Sequence, residues 1–239
     1  HARDTWKQII ELENDFDRVV FLGDYFDSYD LSGVIQLHNF LEIVEFKKTS
    51  DKEVVLLFGN HDYHYMRGFN GQYHYSGYQP AFAWQFGDAI HENMEHLQMC
   101  YLFDNILCTH AGVSSVWLEK HFPNTQITNL ESVSMMVDTI NDHFKFKPNV
   151  FEFDGWDPYG DNVTQSPIWI RPKSLMQSNK DTNLKKQVVQ VVGHTQQDDI
   201  FESFRMSNKI MGNKYLVIDC VGTGGYVVVD NGITIAKQL

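Results

Sequence analysis

Six short and strongly apolar runs constrain the fold of this chain more than any other feature of its sequence. Each run contains several β-branched or aromatic residues and is bounded by glycine, asparagine or aspartate, which is typical of strands. Most show no alternation of apolar and polar residues, so we expect these strands to be covered on both faces. Asn231 and Gly232 predict a tight hairpin turn within the last run, because a type I′ turn needs positive φ at both central positions. The runs are RVVFLGD, EVVLLFGN, NILCTHAG, QVVQVVGHT, KYLVIDC and GYVVVDNGITIA.

Two longer segments carry apolar residues at helical spacing. Thr128 followed by Glu131 predicts a capping box at the start of the second helix. Strands that alternate with helices, and are then joined by hairpins, predict an α/β fold with mixed sheets. A length of 239 residues without a repeat or a linker predicts a single domain over residues 1–239. The helical segments contain Val34, Leu37, Phe40, Leu41 and Val44, and then Leu130, Val133, Met136, Val137, Ile140 and Phe144.

The composition argues against several classes of partner. A formal net charge of -12 at pH 7 repels phosphate backbones, so we expect no extended nucleic-acid surface. No apolar run approaches the roughly 18 residues that span a membrane, so we expect no membrane partner. The first residues lack the features of a secretory signal. Three cysteines without metal-finger spacing predict reduced thiols and a cytoplasmic protein.

Four of the predicted strands end in side chains that bind metals or carry protons. Any one of them has another explanation, since an aspartate can cap a helix and a buried histidine can bond to a backbone carbonyl. Loops at the ends of adjacent strands of an α/β sheet converge on one crevice, so four such ends together predict one shared site. The residues are Asp24 and Asp27, Asn60 and His61, His110, and His194.

The donors of this predicted site are carboxylate, amide and imidazole groups. They suit divalent metals of intermediate hardness, Mn, Fe or Zn, better than Mg or Ca, which favour oxygen ligands alone. No cysteine is among them, which argues against a structural zinc site. Gly23, Gly59 and Gly193 precede the polar residues and would let each strand turn sharply. The sequence therefore predicts a catalytic metal site with room for water.

The order of the short motifs resembles that of the calcineurin-like metallophosphoesterases. The similarity is greatest to the serine/threonine phosphoprotein phosphatases and their bacterial and phage relatives. The motifs are GDYFD, GNHD, THAG and GHT, followed by VIDCVGTGG, so the resemblance extends from residue 1 to about residue 235. It implies a four-layer α/β fold in which helices flank a central β-sandwich of mixed sheets. It also implies two divalent metal ions, for which we expect Mn, with Fe or Zn as alternatives.

For the metals, the resemblance implies ligands from each strand end. Asp24 would bridge both ions, and Asn60, His110 and His194 would complete the second. The family begins with an Asp-x-His motif, and His1 followed by alanine matches only its end. His1 is either the histidine of that motif, with the first metal one carboxylate short in this sequence, or a residue left from a tag.

For catalysis, the resemblance implies that water activated by two metals attacks a phosphomonoester. His61 would give a proton to the leaving oxygen, and Asp27 would hold His61 in place. Arg171 in SPIWIRP resembles an arginine that binds phosphate in related enzymes. The phosphoprotein phosphatases have Arg-Gly after GDxxD, where this chain has Ser-Tyr, so one phosphate-binding guanidinium is missing. Arg67 either replaces it or is a solvated surface residue.

Three functions remain open at this point. The first is a serine/threonine protein phosphatase or broad phosphomonoesterase, and the second is a hydrolase of nucleotides or dinucleoside polyphosphates. The third is a phosphate-binding module that has lost catalysis. A cysteine phosphatase is excluded, because no arginine lies six residues after any of the three cysteines. The aromatic segment 63–86 would form a wall over a substrate or else pack within the domain.

Overall fold

The chain folds as two compact units, His1–Gln98 and Met99–Leu239. The computed structural model describes residues 4–66, 75–154, 161–210 and 214–239. A three-stranded sheet lies in the first unit, and a four-stranded sheet and a two-stranded sheet lie in the second. The prediction of a single domain stays a prediction.

The first unit is built around a parallel sheet in the order β1-β2-β3. Val19 of β1 lies opposite Val54 of β2, and Leu56 of β2 lies opposite Leu97 of β3. Its elements are α1 (Thr5–Leu12), β1 (Arg18–Phe21), α2 (Gly33–Thr49), β2 (Glu53–Leu57), α3 (Asn60–Tyr63), α4 (Ala83–Glu92) and β3 (Leu97–Gln98), with 3-10 turns at Pro80–Phe82 and Met94–His96.

An aromatic core fixes the loop that follows β1. Phe26 is the fourth residue of the GDYFD motif and is fully buried, stacked on Phe86 of α4 with ring centroids 4.2 Å apart. Its ring also lies 5.2 Å from the ring of Phe40 on α2. Because burying a phenylalanine stabilises a fold by about 2 kcal/mol, this side chain anchors the loop and the polar residues on either side of it.

The second unit contains a mixed sheet in the order β4-β5-β6-β7 and a separate antiparallel pair, β8 and β9. Strands β4 and β5 are antiparallel, and the other pairs of the larger sheet are parallel. Its elements are β4 (Cys100–Phe103), β5 (Ile106–Thr109), α5 (Ser115–His121), α6 (Leu130–Phe146), α7 (Pro172–Ser178), α8 (Asn183–Gln187), β6 (Val189–Gln196), α9 (Ile200–Ile210), β7 (Tyr215–Asp219), β8 (Gly225–Asp230) and β9 (Ile233–Gln238), with 3-10 turns at Pro148–Phe151 and Val221–Thr223.

Two buried amide side chains hold the loop that follows β5. Gln190 on β6 accepts a bond from Val113 N at 2.7 Å and donates to Val113 O at 3.2 Å. Asn179 donates to the same carbonyl at 2.8 Å and accepts from Ser115 N at 2.8 Å. These bonds satisfy backbone groups that burial would otherwise leave unpaired, so they define the path of the chain just after His110.

The six apolar runs are strands, as predicted, and the hairpin turn is confirmed by positive φ at Asn231 and Gly232. The short strands β3 and β4 were not predicted. The capping box of α6 is one residue later than predicted. Asn129 Oδ1 accepts from Ser132 N at 2.9 Å, and Ser132 Oγ accepts from Asn129 N at 3.0 Å. The helix therefore begins at Leu130, with Asn129 as its N-cap.

No helix within the described part of the chain is both long enough and apolar enough to cross a membrane.

Candidate active site

Two glycines let the first two motifs approach backbone to backbone. Gly23 has φ of 93°, and a Cβ on it would lie 2.5 Å from Gly59 N. A Cβ on Gly59 would lie 2.2 Å from Asp24 Oδ1. No side chain larger than hydrogen fits at either position. Steric contact therefore explains why glycine is required at both of these predicted turns.

Asp62, the last residue of GNHD, ties the two motifs together. Its Oδ2 accepts from Asp24 N and from Gly59 N, each at 2.9 Å, and its Oδ1 accepts from Tyr25 N at 2.7 Å. The carboxylate is fully buried. Three backbone donors favour the charged form of a buried carboxylate and replace the water that it has lost.

The carboxylate of Asp24 lies against the start of α3. Asp24 Oδ1 accepts from His61 N at 3.0 Å. Asp24 itself has φ of 59°, and Asp27 has φ of 67°, in the left-handed region that few residues other than glycine adopt. Such strain persists only where surrounding bonds impose it, and it is commonest at functional sites.

Asp27 is the centre of a buried polar cluster. Its Oδ2 lies 2.9 Å from His61 Nδ1 and 2.7 Å from His64 Nε2, and Tyr65 donates its hydroxyl proton to Oδ1. The Asp27 carboxylate is fully buried, whereas the His61 side chain keeps 20% of its exposure. His61 can therefore reach a ligand from its other ring nitrogen, while Asp27 cannot.

The charges of this cluster support one another. Burial opposes ionisation of Asp27, but its bonds to His61, His64 and Tyr65 outweigh burial and lower the pKa of the carboxyl group. Burial likewise disfavours the charged imidazole of His61. The carboxylates of Asp24 and Asp27 reverse that effect and raise the pKa of His61 to about 9. The pair favours a carboxylate beside an imidazolium, which is the charge state that a proton donor needs.

In the second unit, two predicted metal ligands lie side by side. The rings of His110 and His194 have centroids 5.2 Å apart at an interplanar angle of 65°. Gly193 N donates to His110 O at 2.7 Å. Two imidazoles at this separation could both bind the same metal ion.

The sequence predicted His194 at the end of its strand, whereas β6 continues beyond it to Gln196. The register of β6 against β7 shifts between Val192 and Gln196, and His194 within this irregularity has φ of 62°. A bulge turns a side chain out of the regular alternation of the strand, so the strand continues while the imidazole is redirected.

Arg171 lies close to the same bulge. Its Nη1 donates to His194 O at 3.0 Å and to Thr195 Oγ1 at 3.2 Å. Trp169, two residues earlier, is buried, with its ring 6.1 Å from that of His194. The guanidinium is thus positioned by the backbone of β6, beside a predicted metal ligand.

The structure groups the predicted site residues within each unit. Asp24, Asp27, Asn60 and His61 lie together in the first unit, and His110, His194 and Arg171 lie together in the second. His1 and Arg67 lie outside the described residues.

Sequence reasoning missed the two other partners of Asp27, His64 and Tyr65. The aromatic character of the segment that follows GNHD concealed their polar role. The described part of this segment packs inside the first unit, with Tyr63, Tyr65 and Phe86 buried, although Trp84 is exposed.

The profile of the calcineurin-like phosphoesterase family matches residues 1–198 of this chain. The chain belongs to the calcineurin-like phosphoesterase family. Metallophosphoesterases hydrolyse phosphoric esters, so the prediction of a phosphoric ester hydrolase is confirmed at the level of the family. No curated protein matches the chain.

Solved structures give the same fold. A cold-active protein-tyrosine phosphatase of a psychrophile, Shewanella sp., superposes with a TM-score of 0.63 at 17% sequence identity, over 100% of this chain and 75% of the other. A point mutant of a cold-active protein tyrosine phosphatase gives 0.64 at 18% identity with the same coverage. The predicted calcineurin-like α/β fold is confirmed.

Proposed function

We propose that this phosphoesterase hydrolyses phosphomonoesters in the manner of the serine/threonine protein phosphatases, with His61 as the proton donor. The observation that carries the proposal is the 2.9 Å contact between His61 Nδ1 and Asp27 Oδ2. Because Nδ1 bonds to the carboxylate, Nε2 lies on the far side of the ring and is the nitrogen proposed to face a substrate. The exposed fraction of the His61 side chain supports this orientation.

The metal ligands belong to the proposal as well. We propose Asp24, Asn60, His110 and His194 as metal ligands, and Asn60 is buried at the first position of α3, next to His61. Carboxylate, amide and imidazole donors fit Mn, Fe or Zn, and we propose two ions, with Mn preferred. When bound, these ions would supply positive charge to the phosphoryl oxygens and lower the pKa of water. His1 is proposed as a further ligand.

The remaining steps fall to the chain's own side chains. Protonated His61 donates to the leaving oxygen, and the Asp27 carboxylate stabilises the imidazolium and keeps its Nε2 directed outward. Arg171 offers a planar guanidinium for the phosphoryl oxygens, and its bond to His194 O holds the side chain near a metal ligand. Arg67 is the second arginine proposed to bind phosphate.

One departure from the phosphoprotein phosphatases bears on substrate choice. Ser28 occupies the position of their phosphate-binding arginine, is buried, and receives a bond through Oγ from Asp30 N at 3.3 Å. Its N–H donates to Gln36 Oε1 at 3.0 Å. Ser28 therefore holds the conformation of its own loop. Arg171 is the residue proposed to contact phosphate.

Nucleotide hydrolysis is the second candidate, and a phosphate-binding module without catalysis is the third. Phosphotyrosine substrates are included because the structurally similar Shewanella protein is a protein-tyrosine phosphatase. We would compare turnover on phosphoserine, phosphothreonine and phosphotyrosine peptides with turnover on nucleotides and dinucleoside polyphosphates, with Mn present. Faster turnover of nucleotides would reverse the assignment, and no turnover of any substrate would favour the binding module.

Variants test the division of roles. His61→Ala should lower kcat by about 100-fold or more with its metal content unchanged, since a positioned general acid contributes roughly 10²–10⁴-fold. Asn60→Ala and His194→Ala should instead lose metal, measured by elemental analysis after gel filtration. Equal metal loss in all three variants would contradict the role of His61.

A cytoplasmic location is likewise proposed. Its support is that Cys100, Cys108 and Cys220 are all free and buried, as expected of reduced structural thiols.

A further inference from the structure

Both ring nitrogens of His64 lie in the buried polar cluster around Asp27. The side chain is almost fully buried, and both ring nitrogens face polar atoms. Nδ1 accepts a hydrogen bond from Tyr75 N at 3.2 Å, and Nε2 lies 2.7 Å from Asp27 Oδ2. A neutral imidazole has one donor and one acceptor nitrogen, and here both are directed at polar groups of the same buried cluster.

These contacts fix the tautomer of His64. A ring nitrogen that accepts a bond from a backbone N–H carries no proton, so the proton of the neutral ring lies on Nε2. Nε2–H therefore faces the Asp27 carboxylate. The approach is bent away from ideal hydrogen-bond alignment, but a distance of 2.7 Å to a buried carboxylate makes the attraction strong.

The oxygen that His64 meets is the one that also accepts from His61. Asp27 Oδ2 lies between the two imidazoles, at 2.9 Å from His61 Nδ1, and Tyr65 holds the other oxygen. A carboxylate fixed at both oxygens cannot rotate about χ2. The direction from which it accepts the His61 proton is therefore set by the other two side chains.

Aromatic rings immobilise His64 itself. Its ring stacks on Tyr75 with centroids 5.4 Å apart at an interplanar angle of 13°, and it meets Tyr65 and Tyr78 nearly edge-on at 4.4 Å and 4.9 Å. Rotation of the imidazole would break this packing as well as the two polar contacts. The position of Nε2 is thus as rigid as the core around it.

We propose that His64 is a positioning residue, which holds the Asp27 carboxylate in the orientation from which Oδ2 accepts His61 Nδ1–H. This inference rests on the proposed role of His61 as proton donor. Without His64, Oδ2 keeps only its contact with His61, so Tyr65 alone fixes the carboxylate from the other side. The His61 imidazole is then less firmly held, and proton donation to the leaving oxygen becomes less efficient. Steps that need no proton on the leaving group are unaffected.

A matched pair of amide variants isolates this role. In His64→Gln the side-chain NH₂ lies near the position of Nε2 and can still donate to Asp27, whereas in His64→Asn the amide lies near the position of Nδ1 and serves only Tyr75. Both are polar and both lose the aromatic ring that stacks on Tyr75, so they share that loss of packing. His91→Gln, at an exposed histidine on α4 of the same unit, is the control.

The readout is kcat and KM for two substrates that differ in the basicity of the leaving oxygen. An alkyl phosphomonoester needs the general acid, and p-nitrophenyl phosphate needs it far less. We expect His64→Asn to lower kcat on the alkyl ester by about 10–100-fold, comparable to the loss of a residue that orients a metal ligand. We expect KM and the aryl rate to change less than about threefold, and His64→Gln to recover most of the loss.

A purely structural role predicts another result. Equal losses on both substrates, or equal losses in the Asn and Gln variants, would overturn the proposal. His61→Ala provides the comparison. If its losses on the alkyl and aryl esters are equal, the proposed function of His61 fails. The imidazole ¹⁵N shifts then decide the role of His64.

The ¹⁵N shifts of the imidazoles, recorded on metal-free protein, test the inference without turnover. Wild type and His64→Gln should show His61 Nδ1 protonated and bonded to the carboxylate. His64→Asn should show that signature weakened. Identical His61 shifts in all three proteins would overturn the positioning role, whatever the activities.

Discussion

At the scale of single residues, the site depends on carboxylates that serve as hydrogen-bond acceptors inside the protein. Asp62 illustrates this, because its two oxygens receive three backbone donors from three different residues. Backbone groups of two motifs are satisfied by one side chain, so its loss leaves several buried donors unpaired.

We therefore expect Asp62→Asn to lower the free energy of unfolding by on the order of 3 kcal/mol. The amide would direct two donors at backbone N–H groups. Urea denaturation followed by circular dichroism measures the change, with Asp51→Asn on the exposed turn before β2 as the control. A loss below about 0.5 kcal/mol would mean that water replaces the carboxylate.

Because of Asp27, the free energy of unfolding should fall at acid pH. Its pKa is lower in the folded protein than the ordinary value of about 4. Its contribution is thus complete above that value and is lost as the pH falls through the folded pKa. Asp27→Asn should be less stable at pH 6 by about 3–5 kcal/mol, and the gap should shrink towards pH 2. Denaturant midpoints measured across this range test the expectation, and a constant gap would contradict it.

At the scale of elements, the contact of the first two strand ends decides where Asp24 lies. Gly59→Ala would put a methyl group 2.2 Å from Asp24 Oδ1. We expect a loss of about 1–3 kcal/mol and weaker binding of metal, because the carboxylate must move. Gly222→Ala is the matched control, since no atom lies within 4 Å of its added Cβ. Unfolding and Mn titration of both variants test this, and similar results for the two would refute it.

The elements also show how far the sequence could predict the structure. Continuous apolar runs identified six strand segments, and the glycines identified sharp turns, because burial and sterics are local signals. His194 was predicted at the end of its strand, whereas β6 continues to Gln196 through a bulge, and a bulge depends on pairing with β7. His64 was missed because its role requires a contact with Asp27, far away in the chain, which periodicity does not reveal.

At the scale of the molecule, metal should stabilise the fold. An ion that binds the folded chain alone adds about 2.7 kcal/mol when its free concentration is 100 times its Kd. We expect Mn to raise the thermal midpoint of wild type, and a chelator to reverse the rise. His110→Ala should abolish the effect, and His91→Gln should keep it. An equal rise in the His110 variant would show that these ions bind elsewhere.

The three thiols should be unreactive in the native protein. Burial raises the pKa of Cys108 to about 12 and that of Cys220 to about 11, and the pKa of Cys100 is raised still more. The thiolate is the nucleophile, so iodoacetamide at pH 8 should modify none of them within an hour. Mass spectrometry before and after addition of guanidinium measures this. Native alkylation of any one would show that its burial is transient.

The burial of these thiols has a practical consequence for spectroscopy. All three cysteines belong to the second unit. A maleimide dye would react with none of them while the protein is folded, because all three thiols are buried. One cysteine introduced at an exposed position such as Trp84 would therefore carry the dye alone. The chain accepts a single fluorophore beside its aromatic segment without removal of any natural residue that packs its core.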